Sequence, residues 1–298
     1  MQTRLSLLVV IVLGASALLL AGWNGGRAGA SRLGVRATNT AQADMPTDVD
    51  VELVLAVDVS YSMDPDEQAL QREGYIAGLT SREFLDALRH GTHGKIALTY
   101  FEWAGASDQK VVVPWGLIDG PSSVAAFADA LGHAPYRRAY RTSISGALSY
   151  ATSLFASSGH HGIRQVIDVS GDGANNQGLP VPIVRDEIVA KGITINGLPI
   201  MLKAPTPGSV DIEDLDVYYE DCVMGGPGAF VVPIRETNQF KEATRSKLVL
   251  EIAGLISSPR TDRMQPHARP VSAESPRISC TIGERLWQQR WGSGTDFN

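Results

Sequence analysis

Three short segments of this 298-residue chain carry side chains suited to holding a hard cation. The first is Asp58-Val59-Ser60-Tyr61-Ser62, where alternate residues of an extended chain point to one side and bring a carboxylate and two hydroxyls together. The second is Arg141-Thr142-Ser143-Ile144-Ser145-Gly146, which opens a helix and sets the Thr142 hydroxyl at its start. The third is Ser170-Gly171-Asp172-Gly173, a glycine-freed loop bearing the Asp172 carboxylate. Asp58, Ser60, Ser62, Thr142 and Asp172 offer only oxygen donors, which suit Mg2+ or Mn2+ and not zinc or copper. Five such donors leave at least one octahedral position for water or an incoming ligand. Taken singly, each segment reads as ordinary helix caps and turns, which Ser, Thr and Asp fill throughout proteins.

The elements around these segments decide between the two readings. Residues 51–59 form a nearly continuous β-branched run, the pattern of a strand buried on both faces. Residues 66–89 follow with helical periodicity and a start at Asp64-Pro65. Strands are expected at 95–103 and 110–115 with a turn at 105–108, then helices at 122–131 and 143–155. A strand at 164–169, a helix at 182–190, a strand at 193–200, a short strand at 229–233 and a helix at 237–256 complete the pattern. Strands separated by helices of ten or more residues predict an α/β fold, a doubly wound, mostly parallel sheet with helices on both faces. In such sheets ligands sit beyond the carboxyl ends of the strands, where all three segments fall. Their joint position favours a metal site.

This set resembles the metal-ion-dependent adhesion site of the von Willebrand factor type A domain, over about residues 51–256. It also looks like one exported bacterial branch of that superfamily whose function is unassigned. The resemblance implies a Rossmann-like fold in which Ser60, Ser62 and Thr142 ligate Mg2+ or Mn2+ through hydroxyl oxygens. Asp58 and Asp172 would hold the ion directly or through water, and an acidic side chain of a protein partner would complete the sphere. Neutral hydroxyl ligands agree with that role, because they leave the cation attractive to a carboxylate. Two positions depart from the pattern: Arg141 precedes the threonine where relatives commonly have glycine, and Gly171 precedes Asp172 where threonine is usual. Arg137, Arg138 and Arg141 are placed to attract an anionic partner, or more simply lie in a solvated loop carrying spare charge. Trp103 is expected to pack in the core rather than wall the site.

Composition narrows the remaining classes. With 26 Lys and Arg against 32 Asp and Glu, a net charge of -6 argues against a protein that coats nucleic acid. Two cysteines exclude a disulfide-dense scaffold and Cys-rich metal sites. Arg4 and the apolar residues 5–21 read as an export signal, cleaved after Ala30 or Ala43 in preference to being kept as an anchor. The expected organisation is a leader with linker at 1–43, one domain at 44–257 and a flexible tail at 258–298. Deleting that tail is expected to cost little. An exported chain is periplasmic or secreted, with membrane contact only if the leader is retained. Cys222 and Cys280 could then bridge, but the favoured reading is one buried thiol and one in the tail. Between residues 203 and 227 lies an acidic insertion, whose Tyr218 and Tyr219 are expected to dock a short helix onto the body.

Enzyme readings lack their parts. A phosphoaspartyl hydrolase would need a second Asp where Ser60 stands. There is no G-x-S-x-G elbow and no Walker A motif. His160-His161 is expected before a strand, on the edge opposite the metal segments, and His90, His93 and His133 have no ligand spacing. The sequence therefore reads as an exported, metal-dependent module that binds an acidic group on a protein. A metal-assisted hydrolase of a small anionic substrate is the alternative, and a domain whose ion only stiffens its loops is the blander third.

Overall fold

A run of β-branched and apolar residues makes β1 (Thr47–Asp58) the central strand of a five-stranded sheet. A computed structural model describes residues 46–205, 210–253 and 277–292 of the chain. The other strands are β2 (Ile96–Trp103), β3 (Gln109–Ile118), β4 (His160–Gly171) and β5 (Thr194–Pro199). Their order is β3-β2-β1-β4-β5, parallel throughout except for the β2–β3 hairpin. Because β1 is flanked by β2 on one side and β4 on the other, the order in which strands are laid down reverses there. A crevice opens at that point, beyond the carboxyl ends of β1 and β4.

The helices in chain order are α1 (Pro65–Leu79), α2 (Arg82–Arg89), α3 (Pro121–His133) and α4 (Ile144–Leu154). They continue with α5 (Val181–Val189), α6 (Leu215–Tyr218), α7 (Phe240–Ala253) and α8 (Ile282–Trp291). Alternation along β1 serves two cores. Leu53, Leu55 and Val57 pack with Tyr75, Phe84, Phe240 and Leu248 from α1, α2 and α7. Val54 and Ala56 pack on the other face with Trp103, Leu148, Ile167 and Val181. Trp103 is thus a core residue, as expected.

Several elements differ from the sequence reading for local reasons. The helix expected at 66–89 breaks in two, because Thr80 bonds back to the Ile76 carbonyl and Ser81 caps α2 through the Phe84 amide. Its start does follow Asp64-Pro65, where Asp64 and Glu67 form a capping box. His160 and His161 open β4 instead of preceding it, at the strand end opposite Asp172. Residues 229–233 form no strand. They meet β5 through isolated bridges such as Gly197 to Val231, since the Phe230 amide is spent on Asn196 Oδ1 and Pro233 offers no N–H to a ladder. The acidic insertion docks as expected through α6 and the π-turn Tyr219–Val223, with both tyrosines fully buried.

The tail requires the largest correction. Cys222 and Cys280 are bridged, with their Cα atoms 5.5 Å apart. Beyond the bridge α8 lies against the body, and Arg277 pairs with Glu220 and Asp221. Asn175 donates to Glu284 at 2.7 Å, and the Arg141 guanidinium stacks on the Trp287 ring at 3.6 Å. Of the α8 residues only Gly283 is buried. A covalent tie and polar contacts fix this helix, so no core-facing stripe announced it. Deleting the tail would remove all of these ties, so a substantial loss of melting temperature is expected in place of a small cost. Residues 258–276 and 293–298 lie outside the described residues, as does the leader.

Candidate metal centre

Register brings the two carboxylates together. Val57 pairs with Ser170 across β1 and β4, so both chains leave the sheet side by side at Asp58 and Asp172. The Ser60 and Ser62 hydroxyls are 2.9 Å apart, and Ser62 donates to Asp172 at 2.6 Å. Asp58 accepts the Ser60 amide on Oδ1 at 2.7 Å, while its buried Oδ2 has no partner. Thr142 is placed from the other side of the crevice. Its amide donates to Asn176 Oδ1 at 3.0 Å, and the Asn176 amide donates to the Thr142 carbonyl at 2.8 Å. Ser143, not Thr142, caps α4 by accepting the Gly146 amide. The Thr142 hydroxyl thus stays clear of the helix cap and lies 3.9 Å from the point where a side chain on Gly173 would begin. All five residues expected from the sequence meet on one edge.

Asn175, Asn176 and Lys203 were missed. Asn175 and Asn176 are buried polar side chains spent on backbone and neighbouring loops, for which two asparagines after a glycine loop are a faint signal. Lys203 donates to the Ser62 carbonyl at 2.9 Å and pairs with Glu67 and Asp64, tying the serine loop to the chain after β5.

Both departures from the resembled pattern have a structural reason. Arg141 holds φ at 74°, and among the described residues no other non-glycine residue has a positive φ. The left-handed conformation costs an L-residue about 1–2 kcal/mol. The paired hydrogen bonds of Thr142 with Asn176 hold this turn, and the stack of Arg141 on Trp287 braces it. At position 171, a Cβ would stand 2.7 Å from Asp58 Oδ2 and 3.1 Å from the Tyr219 hydroxyl, so only glycine fits.

The electrostatics are those of a site lacking positive charge. Burial pushes the Asp58 carboxyl up to about 7, against the hydrogen bonds from Ser60 and Asp172. Asp172 is held well above the usual carboxylate range by burial and by the neighbouring Asp58. The Asp58 side chain is fully buried. An unpartnered buried carboxylate oxygen beside a second carboxylate and three hydroxyls fits a hard divalent cation. Among the described residues no group of three or more His, Cys, Asp or Glu side chains is placed to hold a metal ion.

A pH dependence follows. Asp58, at about 7, and Glu251 behind the sheet, raised by burial to about 8, bind protons more tightly folded than unfolded. Their stabilisation is present at low pH and is lost as pH rises through those values. In EDTA, the melting temperature is therefore expected to fall between pH 5 and about pH 8, as thermal melts across that range would read. A Tm that rises steadily over the window would contradict it.

The three arginines before Thr142 divide. Arg137 is structural, bonded to Glu102 at 3.0 Å and Asp108 at 2.5 Å, with Arg72 on the other side of Glu102. Arg141 is engaged with Trp287. Arg138 is exposed and forms no ion pair with any described residue; its guanidinium lies 4.7 Å over the Tyr61 ring. Tyr61 stands between two of the hydroxyl donors and stacks on Tyr140 at 4.3 Å, the two rings 48% and 73% exposed. On the other side of Asp172 is a cavity of about 260 Å³, lined in part by Glu67, Lys203, Asp211, Glu213 and Arg235.

Comparison with known proteins places this architecture. Proximal thread matrix protein 1 from the mussel byssus, in a structure with a zinc-occupied MIDAS motif, is similar with a TM-score of 0.51 at 14% identity. The match covers 70% of this chain and 49% of that one. A von Willebrand factor type A protein from Catenulispora acidiphila matches with a TM-score of 0.49 at 18% identity, over 69% of this chain and 43% of that one. The chain thus spans less than half the length of these proteins. No curated protein matches it. The family model described as a protein of unknown function, DUF1194, covers residues 48–256, which hold all five candidate residues and stop short of Cys280. The chain belongs to the DUF1194 family, with the α/β fold of a von Willebrand factor type A domain.

Proposed function

We propose that this protein is an exported binding module that grips an acidic side chain of a protein partner through a bound Mg2+ or Mn2+. The observation that carries the reading is the hydrogen-bonded cluster of Ser60, Ser62 and Asp172 beside Asp58, with Thr142 on the same edge and Asp58 Oδ2 buried without a partner. Ser60, Ser62 and Thr142 would hold the cation by their hydroxyls, and Asp58 and Asp172 directly or through water. When bound, the cation supplies a positive charge to which a partner carboxylate can attach. The rim suits a protein surface, since exposed Tyr61, Tyr140 and Arg138 are residue types that dominate interface energetics. The Cys222–Cys280 bridge supports an oxidising compartment. Among the described residues no helix is long and apolar enough to cross a membrane.

The hydrolase alternative would use the cavity beside Asp172. That cavity is smaller than most small-molecule sites, which run from roughly 300 to 1,000 Å³. Its cations are already engaged, Lys203 with Glu67 and Asp64 and Arg235 with Asp216, and no histidine lines it.

The test is a thermal melt in EDTA and in millimolar Mg2+ or Mn2+, on the protein and on Asp58→Asn. A native-state ligand at a hundredfold excess over Kd stabilises by about 2.7 kcal/mol, so a saturable rise of several degrees is expected. Asp58→Asn should abolish the rise. In EDTA it should melt no lower than the parent, because it removes a buried charge next to Asp172. A parent protein that ignores both cations would remove the basis for this reading.

A further inference from the structure

The insertion after β5 buries one hydroxyl for which the fold provides no partner. Tyr219 is fully buried, its ring seated over Gly197, where a Cβ would come within 2.6 Å of the ring carbon Cδ1. Its hydroxyl is unpartnered, and so is Asp58 Oδ2. Both atoms lie close to a single point, the place a Cβ on Gly171 would occupy, at 3.1 and 2.7 Å. Two atoms so placed are at most about 6 Å apart, and since neither has a direct partner, the separation is that spanned by one bridging water or closed by a small side-chain shift. A phenol is a donor and an ionised carboxylate oxygen has two lone pairs, so one oxygen can serve a tyrosine and a cation together. Two glycines on adjacent strands, Gly171 and Gly197, clear the room for this side chain.

We propose that Tyr219 is a positioning residue for the cation site, its hydroxyl reaching Asp58 Oδ2 from behind, through one water or by a small shift of the carboxylate when the ion binds, and fixing how that carboxylate faces the ion. The inference rests on the cation-site reading above and goes beyond it, because it gives the acidic insertion a part in the site. It also accounts for Gly171, since any side chain there would displace the tyrosine hydroxyl from the carboxylate. The adjacent Tyr218 provides an internal contrast. Its hydroxyl accepts the Asn175 amide and donates to the Cys280 carbonyl, so it is spent on holding loops and the tail.

The experiment is calorimetric titration of the full chain with Mn2+, together with melts in EDTA, for the parent, Tyr219→Phe and Tyr218→Phe. Tyr219→Phe keeps the ring and every ring contact. It is expected to weaken Mn2+ binding roughly tenfold or more, the usual effect of losing an outer-shell partner, with little change of Tm in EDTA. Tyr218→Phe is expected to do the opposite, lowering the EDTA melt and leaving Mn2+ affinity within about twofold of the parent. If Tyr219→Phe binds Mn2+ as the parent does, the positioning role is overturned and the cation site stands. If the parent itself binds no Mn2+, the cation site falls and this role falls with it.

Discussion

Lys247→Met is expected to destabilise the protein by about 3–5 kcal/mol, the range for removing one partner of a buried ion pair. Lys247 is fully buried on α7, 2.5 Å from Asp168 of β4 and paired with Glu251 one turn along its own helix. Asp168 also accepts the Tyr75 hydroxyl from α1 at 3.2 Å, so the cluster joins two helices to the sheet four residues before Asp172. Glu251, pushed up to about 8 by burial, holds a proton at neutral pH, leaving one ammonium against one carboxylate. Removing the ammonium leaves the buried Asp168 carboxylate with the Tyr75 hydroxyl but without its counter-charge. Urea denaturation of Lys247→Met, Asp168→Asn and the double variant would check this. The double variant should lose much less than the sum of the singles, because it removes the stranded charge together with its partner. Additive losses would mean that the three groups act separately.

Cys280→Ser should cost nearly as much. The bridge closes a separation of 58 residues, which by chain entropy stabilises by about 4 kcal/mol. At about 2–4 °C per kcal/mol for a domain of this size, Tm should fall by about 10 °C. Cys222→Ser should match it, and the double variant should add nothing further, because one bond is lost in every case. Reducing agent should reproduce the drop in the parent and leave the variants unmoved. A loss below about 1 kcal/mol would show that Arg277, Glu284 and Trp287 hold α8 without the covalent tie.

The five candidate residues that the structure brings to one edge were legible before the fold because each sits where local chemistry announces it. Asp58, Ser60 and Ser62 end a strand buried on both faces, Thr142 precedes a helix start, and Asp172 follows a buried strand on a glycine loop. Order along the chain and the edge rule for doubly wound sheets then placed them together. The broken helix at Thr80-Ser81 and the absent strand at 229–233 were less legible. There, side-chain bonds to the backbone and a proline outweigh the hydrophobic pattern.

What the sequence determined by itself is thus what repeats locally: strand and helix periods, helix starts, and the chemical type of each donor. What only the tertiary structure decided depends on residues far apart in the chain meeting at one point. The Cys222–Cys280 bridge, the docking of α8 through Glu284 and Trp287, and the unpaired hydroxyl of Tyr219 behind Asp58 are of that kind. Each is a contact of a few polar or sulfur atoms. Such contacts leave no period in the sequence, because their partners are chosen by geometry that exists only after the hydrophobic faces have packed.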